Sequence, residues 1–212
     1  MEQDLQAASA IQAADNTELT NDELTNDIVT VSRLQVALRS RAKRLQTQFS
    51  DIALRANTAT PEGLFELLQE TASVLLENAD FWTHVLAGSQ TVDSREEGEA
   101  LFNQFSLQER AKFSAETLVN VNGVVSQQLP TPQPGNHPAY IVVTLLLGTA
   151  NDSPLFNEIY STSLLRDVLE DITLLRSRFL LAFELLWTPQ DPADSLTEAD
   201  LAANYADLVP IA

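Results

Sequence analysis

The sequence predicts an α+β domain: a small three-stranded sheet, parallel or mixed, packed with about five to six helices. Three observations carry that prediction. Tyr140 to Leu147 is a dense apolar run, and Phe179 to Trp187 is a second, stopped by Thr188-Pro189. Apolar runs of this length bounded by turn residues read as buried strands, and the first suits an interior place in the sheet. Between them Leu164, Leu165, Val168, Leu169, Ile172 and Leu175 recur at helical spacing. The C-terminal half therefore reads as a strand–helix–strand unit, which suits a right-handed parallel crossover. At 212 residues the chain is long enough for one sizeable core and short for two.

The elements follow in chain order. From Met1 to Ser32 there are seven acids and no base, and Glu18-Leu19-Thr20-Asn21-Asp22 is repeated at once as Glu23-Leu24-Thr25-Asn26-Asp27. A five-residue period is neither helical nor strand-like and offers little apolar surface to bury, so residues 1–27 read as a disordered acidic tail. Residues 28–212 then form a single domain. Its first segment reverses sign: Arg33, Arg39, Arg41, Lys43, Arg44 and Arg55 stand against one acid, Asp51. Ile28, Val31, Leu34, Leu38, Leu45, Phe49 and Ile52 recur at three, four and seven residues, which predicts a basic amphipathic helix. Arg33, Arg39, Arg41, Lys43 and Arg44 on it make the candidate interaction surface, for a protein partner or for peripheral contact with an acidic membrane. The competing reading is that these bases only offset the acidic remainder of the domain.

Thr60-Pro61-Glu62-Gly63 spells a helix start, with Thr60 as N-cap and Pro61 first in the helix, running to about Glu77. Phe81 to Val92 reads as the first strand, free to pair in either direction. Asp93-Ser94-Arg95-Glu96 opens another helix, and Ser106-Leu107-Gln108-Glu109 repeats the capping-box spelling, which predicts a break or kink before a further helix to about Asn120. The proline-rich stretch 130–138 reads as a loop, since proline supplies no ladder donor. Asn151-Asp152-Ser153-Pro154 is a turn and Ser163 begins the next helix. Ser195-Leu196-Thr197-Glu198 starts a short last helix, after which Asp207 to Ile211 packs back on the domain.

Composition excludes several classes of function. Twelve bases against 30 acids give a net charge of −18, which repels nucleic acid and anionic membranes. Cysteine is absent, so thiolate metal sites and a cysteine nucleophile are excluded together. No stretch reaches the roughly 18 apolar residues of a membrane span, and no signal peptide is spelled. Phosphate loops, nucleophile elbows and paired-histidine metal motifs are missing. His84 falls in a strand, where a hydrogen-bonded structural role outweighs a catalytic one, and His137 sits in the proline-rich loop. The clusters Glu96-Glu97-Glu99 and Asp191-Asp194-Glu198-Asp200 read as helix-start and surface charge; the second lacks the spacing and central glycine of a calcium loop. Trp82 and Trp187 read as core anchors before ligand platforms. No catalytic, cofactor or metal site is predicted.

Four passages in order carry a family resemblance: Thr58 to Leu64 with Leu67-Leu68-Gln69-Glu70; Phe102 to Phe113; Tyr140 to Leu145; and Leu185-Leu186-Trp187-Thr188-Pro189-Gln190 with Ser195 to Glu198. Together they resemble the domain-of-unknown-function-1517 family of cyanobacteria and chloroplasts, which includes a plant fluctuating-light-acclimation protein. Trp82, Trp187, Thr188, Pro189 and Gln190 serve as the marker positions. The resemblance covers roughly Ile28 to Ile211 and implies a photosynthetic organism and a role near thylakoid or envelope membranes in adjusting photosynthesis to light. It supplies no catalytic residues. Family members usually carry a hydrophobic, glycine-rich anchor ahead of the domain; here the acidic tail holds that place, so the expectation is either a soluble member or a trimmed domain.

Two readings of function follow. The first is a non-enzymatic regulatory or scaffolding domain, cytoplasmic or stromal and peripheral to the thylakoid, working through a protein partner and without cofactor. The second is a small-molecule binding module or cryptic enzyme with a pocket between sheet and helices near Trp82 or Trp187.

Overall fold

The computed structural model describes residues 21–42, 44–117, 120–121, 124–125 and 139–212. The elements are α1 (Asn21–Thr25), β1 (Val29–Arg39), α2 (Leu45–Arg55), α3 (Pro61–Glu77), β2 (Trp82–Val92), α4 (Arg95–Thr117), β3 (Asn120–Val121), β4 (Val124–Val125), β5 (Tyr140–Thr149), α5 (Thr162–Leu174), β6 (Leu180–Thr188), α6 (Glu198–Asn204) and β7 (Val209–Pro210). Five strands form one sheet in the order β6-β5-β1-β2-β7, antiparallel throughout. The small three-stranded sheet is thus corrected in size, and the parallel crossover in direction. Among the described residues β3 and β4 pair with each other, apart from this sheet.

The size changes because the predicted basic helix does not exist as one element. Its first part is β1, the central strand, and only Leu45–Arg55 is helical. Leu34, Val36 and Leu38 alternate onto one face of the sheet, while Val29, Val31, Arg33, Gln35 and Ala37 turn to the other. Burial on both faces fills in the apolar pattern, so the spacing satisfied a helical count as well as a strand count. The β-branched Val29, Thr30, Val31 and Val36 favour the strand. The chain turns at residues 40–42, and Arg44 takes a left-handed conformation at φ 66° ahead of α2. β7 adds the fifth strand from the C-terminal tail, which does pack back as expected.

The direction changes because the loop before α5, rather than α5 itself, makes the return journey. β5 ends at Thr149 and β6 begins opposite it, at Leu180. Residues 150–161 leave that end, where Thr30 Oγ1 donates to the carbonyls of Asn151 and Ser153. They pass Ser89, whose Oγ accepts from Phe156 N. At Thr162 they reach the far end, with Thr162 N donating to Ala212 O while Ile211 N donates to Thr83 O. The 13 residues of α5, about 20 Å long, carry the chain back to where β5 ended. A helix that starts at the far end can only deliver an antiparallel neighbour.

Several local expectations hold. Thr60 caps α3 by accepting from Gly63 N, with Pro61 first in the helix. A Cβ at Gly63 would lie 2.3 Å from Asn57 O, so only glycine fits that turn. Ser94 caps α4, and Ser161 caps α5, which starts at Thr162, one residue before the expected Ser163. The capping box near the C-terminus is Thr197 with Asp200, two residues beyond its expected start. The break expected at Ser106 is absent: α4 is one helix of 23 residues. Of the segment read as a tail, residues 1–20 lie outside the described residues, as do the proline-rich stretch and His137. α1 falls inside that segment, and Arg95 donates to the carbonyls of Leu24 and Asn26 at 3.3 and 3.4 Å.

Helices α2, α3 and α5 cover one face, over a core that includes Leu34, Val36, Val85, Val143, Leu145 and Leu147. α4 and α6 cover the other, where Ala37 and Val142 meet Leu201, Tyr205 and Leu208.

Candidate functional site

On α4 the residues Gly98, Phe102, Phe105, Glu109 and Lys112 recur four and three apart, which places them in one stripe along the helix. Gly98 sets the distance of approach: a Cβ there would lie 2.2 Å from Val29 Cγ2. Farther along, the stripe carries Glu109, 1% exposed. A buried carboxylate is tolerated only when its oxygens are satisfied, and here both are. Gln35 Nε2 donates to Oε2 at 2.7 Å, Arg33 Nη1 to Oε1 at 3.2 Å, and Lys112 Nζ to the two oxygens at 2.9 and 2.8 Å. Gln35 Nε2 also donates to Thr144 Oγ1 at 2.9 Å, its cross-strand partner on β5. Arg33 stacks over Phe105 at 4.9 Å and Lys112 over Tyr205 at 4.5 Å. One carboxylate between two cations ties β1, β5, α4 and the end of α6 together and leaves one net positive charge.

Two cavities flank this network. A cleft of about 420 Å³ opens near the start of α4, lined by apolar Val29, Val31, Phe102 and Leu181 and by the charged Arg95 and Glu99. A groove of about 210 Å³ runs beside residues 86–90 of β2 and is also lined by Arg33 and Phe105. Neither is lined by Trp82 or Trp187.

The predicted interaction surface is divided by the fold. Arg33 lies in β1 beneath α4, paired with Glu109. Arg39, Arg41 and Arg44 are exposed together around the turn after β1, and Lys43 lies outside the described residues. Of the marker positions, Trp82, Trp187, Thr188 and Pro189 are buried or half-buried. Trp187 meets Phe49 at 5.9 Å between ring centroids, and Trp82 is buried with Arg166 5.8 Å from its ring. Both indole N–H groups are buried without a hydrogen-bond partner among the described residues. Thr188 is buried, the Thr188–Pro189 peptide is cis, and Gln190 is exposed. Gln46 Nε2 from α2 donates to the carbonyls of Pro189, Asp191 and Asp194 at 3.1, 2.9 and 3.1 Å, fixing the loop after Trp187. Among the described residues no three His, Asp or Glu side chains are placed to hold a metal, and no helix is long and apolar enough to cross a membrane.

His84 lies in β2 with Nδ1 3.0 Å from Thr83 Oγ1 and its ring edge-on to Tyr140. Burial holds its pKa below the ordinary histidine value; Glu198 opposes the shift and Arg39 adds to it. A lowered folded-state pKa means the unfolded chain takes up the proton first, so stability is lost as pH falls through about 6.5 toward the folded value. His84→Gln is expected to lose less stability than the parent chain between about pH 7.5 and about pH 5.5, read from urea midpoints. Equal losses would remove this histidine from the pH response.

The sequence alone does not reveal the network, because Glu109 also fits the far end of a capping-box spelling that starts at Ser106. Its signal was position: a charge in the stripe 98–102–105–109–112, where the neighbours are glycine, phenylalanine and a lysine stem. Thr144, the polar residue inside the apolar run 140–147, and Gln35 in the buried strand were the matching signals.

Comparison with known proteins agrees with the resemblance. A family model described as "Protein of unknown function (DUF1517)" matches residues 28–211. The chloroplastic FLUCTUATING-LIGHT-ACCLIMATION protein 1 of Arabidopsis thaliana is 37% identical over 183 residues, 86% of this chain and 46% of that protein. Protein FLAP1 homolog A of Synechocystis is 35% identical over 192 residues, 85% of this chain and 56% of the relative. The chain spans about half the length of these curated relatives. No solved structure matches it.

Proposed function

The chain belongs to the DUF1517 family, and from that membership we propose a regulatory domain that helps adjust photosynthesis to changing light by contact with a protein partner. The observation that carries this reading is the alignment itself. A chloroplast protein named for acclimation to fluctuating light and a cyanobacterial protein named as a homolog both align over more than four-fifths of the chain. Because the relatives extend well beyond it, the role assigned here is that of the shared domain. The buried charges favour contact over catalysis: Glu109 is bound on both oxygens by Arg33, Gln35 and Lys112, and its chemistry goes into holding α4 on the sheet. The setting is the cytoplasm of a cyanobacterium or the stroma of a chloroplast. Peripheral contact with the thylakoid surface falls to Arg39, Arg41 and Arg44 at the turn after β1, in place of a basic helix. Deleting the gene in its host is expected to alter chlorophyll fluorescence under fluctuating light and to leave steady light little affected. Unaltered traces under both regimes would contradict the role.

The cleft beside Phe102 favours a second reading, a binding site for a small apolar molecule, since its 420 Å³ lies within the range of ligand pockets. A thermal-shift series over apolar carboxylates tests it; a flat melting temperature across the series counts against it.

A further inference from the structure

β7 covers only part of the outer edge of β2. Val209 pairs with Val85 and Pro210 with His84, and Ile211 N donates to Thr83 O. Residues 86–92 pair with β1 on their inner side, and among the described residues no hydrogen bond from another element reaches their backbone. An edge strand turns N–H and C=O groups outward at alternate residues and so presents a template for another strand. Edges are ordinarily blunted by charge, proline, a bulge or a cover. The opposite edge is blunted in this way: Glu184 on β6 is held by Arg110 of α4, and the register shifts beside Leu180. Residues 86–92, Leu-Ala-Gly-Ser-Gln-Thr-Val, carry no charge and no proline, and their register against β1 is unbroken from Val29–Val92 to Gln35–Leu86; the loop 150–161 passes them at Ser89, where Phe156 N donates to the side-chain Oγ and leaves the backbone free.

The groove of about 210 Å³ lies along this same stretch. Gly88 faces open space, with nothing within 4 Å of where a Cβ would stand. Arg33 lines the groove with its side chain 23% exposed, one guanidinium nitrogen on Glu109 and its Cζ 4.9 Å from the centre of the Phe105 ring. The surplus positive charge of the Arg33–Glu109–Lys112 cluster therefore meets the groove, on a chain whose net charge is −18.

We propose that residues 86–92 are a β-addition site for an extended segment of a partner protein, one that carries a carboxylate side chain to pair with Arg33. Backbone pairing supplies the affinity in such sites and side chains facing the groove supply the selection. The chain's own tail already joins this edge antiparallel at Val85. A second copy is the poorer occupant, because two bodies of charge −18 repel one another and would set neutral residues against Arg33. The proposal rests on the reading that the domain works through protein contact.

A display library of random peptides panned against the intact chain tests it. Selected peptides are expected to alternate apolar residues around one Asp or Glu and to slow amide exchange in residues 86–92. Gly88→Phe, which fills the groove from open space, is expected to weaken their binding by about tenfold, roughly 1.4 kcal/mol, with the melting temperature retained. Arg33→Gln is expected to weaken acidic peptides and to leave matched amide-bearing peptides little changed. Protection elsewhere, selection indifferent to acid, or binding unaffected by Gly88→Phe would overturn the proposal. Doubled mass with protection of residues 86–92 before any peptide is added would assign the edge to a second copy instead. The deletion phenotype is independent of these outcomes, so failure of the site and failure of the light-acclimation role are distinguishable.

Discussion

Glu109→Ala is expected to destabilise the domain by about 3–5 kcal/mol, because removing one partner of a buried ionic cluster leaves the others uncompensated. Gln35 would lose one of its two acceptors, the one at 2.7 Å, at a buried amide that keeps only Thr144 Oγ1. Arg33 and Lys112 would suffer less, each having a side chain 23% exposed. The converse replacement, Arg33→Ala, is therefore expected to cost less, about 1.5–3 kcal/mol for a hydrogen bond to a charged group. Urea unfolding of the two variants measures both. The order of the two costs is as informative as their size: an Arg33 variant weaker than the Glu109 variant would mean that the cluster is organised around the cation.

Phe49→Ala is expected to cost about 3–5 kcal/mol, the range for removing a buried aromatic ring. Phe49 is fully buried on α2 and lies against Trp187 at 5.9 Å. The same helix holds the loop after Trp187 through Gln46, so the cavity opens where two elements meet and neither can collapse freely into it. Tryptophan emission should shift to the red as Trp187 gains water. A variant with parent-like stability and emission would mean that Trp187 is anchored from β5 and β6 alone.

Legibility followed the kind of information each element needs. β2, β5 and β6 were readable because an apolar run between turn residues is a local signal, and α3 because Thr60 and Pro61 mark its start. β1 was not, since burial on both faces erased the period of two and left positions that also fit a helix. Val29, Thr30 and Val31 were the discriminating residues, and their branching at Cβ outweighs the count. β7 has two residues and becomes a strand only by meeting β2. The antiparallel β5–β6 pairing depended on residues 150–161 crossing to Thr162, a path that no local pattern encodes. The candidate site divides in the same way. Glu109, Gln35 and Thr144 are individually out of place among apolar neighbours, but that Gln35 stands opposite Thr144 is a fact of register.

Arg33 shows how the fold can move a residue away from the neighbours its sequence gives it. It belonged to the predicted interaction surface as part of a helical basic face. In the fold it leaves Arg39, Arg41 and Arg44 behind at the turn, pairs with Glu109, and reaches the open side of β2.

The central claim is that residues 1–212 can by themselves carry the light-acclimation role for which the longer relatives are named. Complementation of a host deletion strain with residues 1–212 alone, followed by chlorophyll fluorescence under fluctuating light, measures that. The expected result is recovery of the parent trace by the chain and only partial recovery by Gly88→Phe. A folded chain, present at the parent level, that leaves the deletion trace unchanged would contradict it.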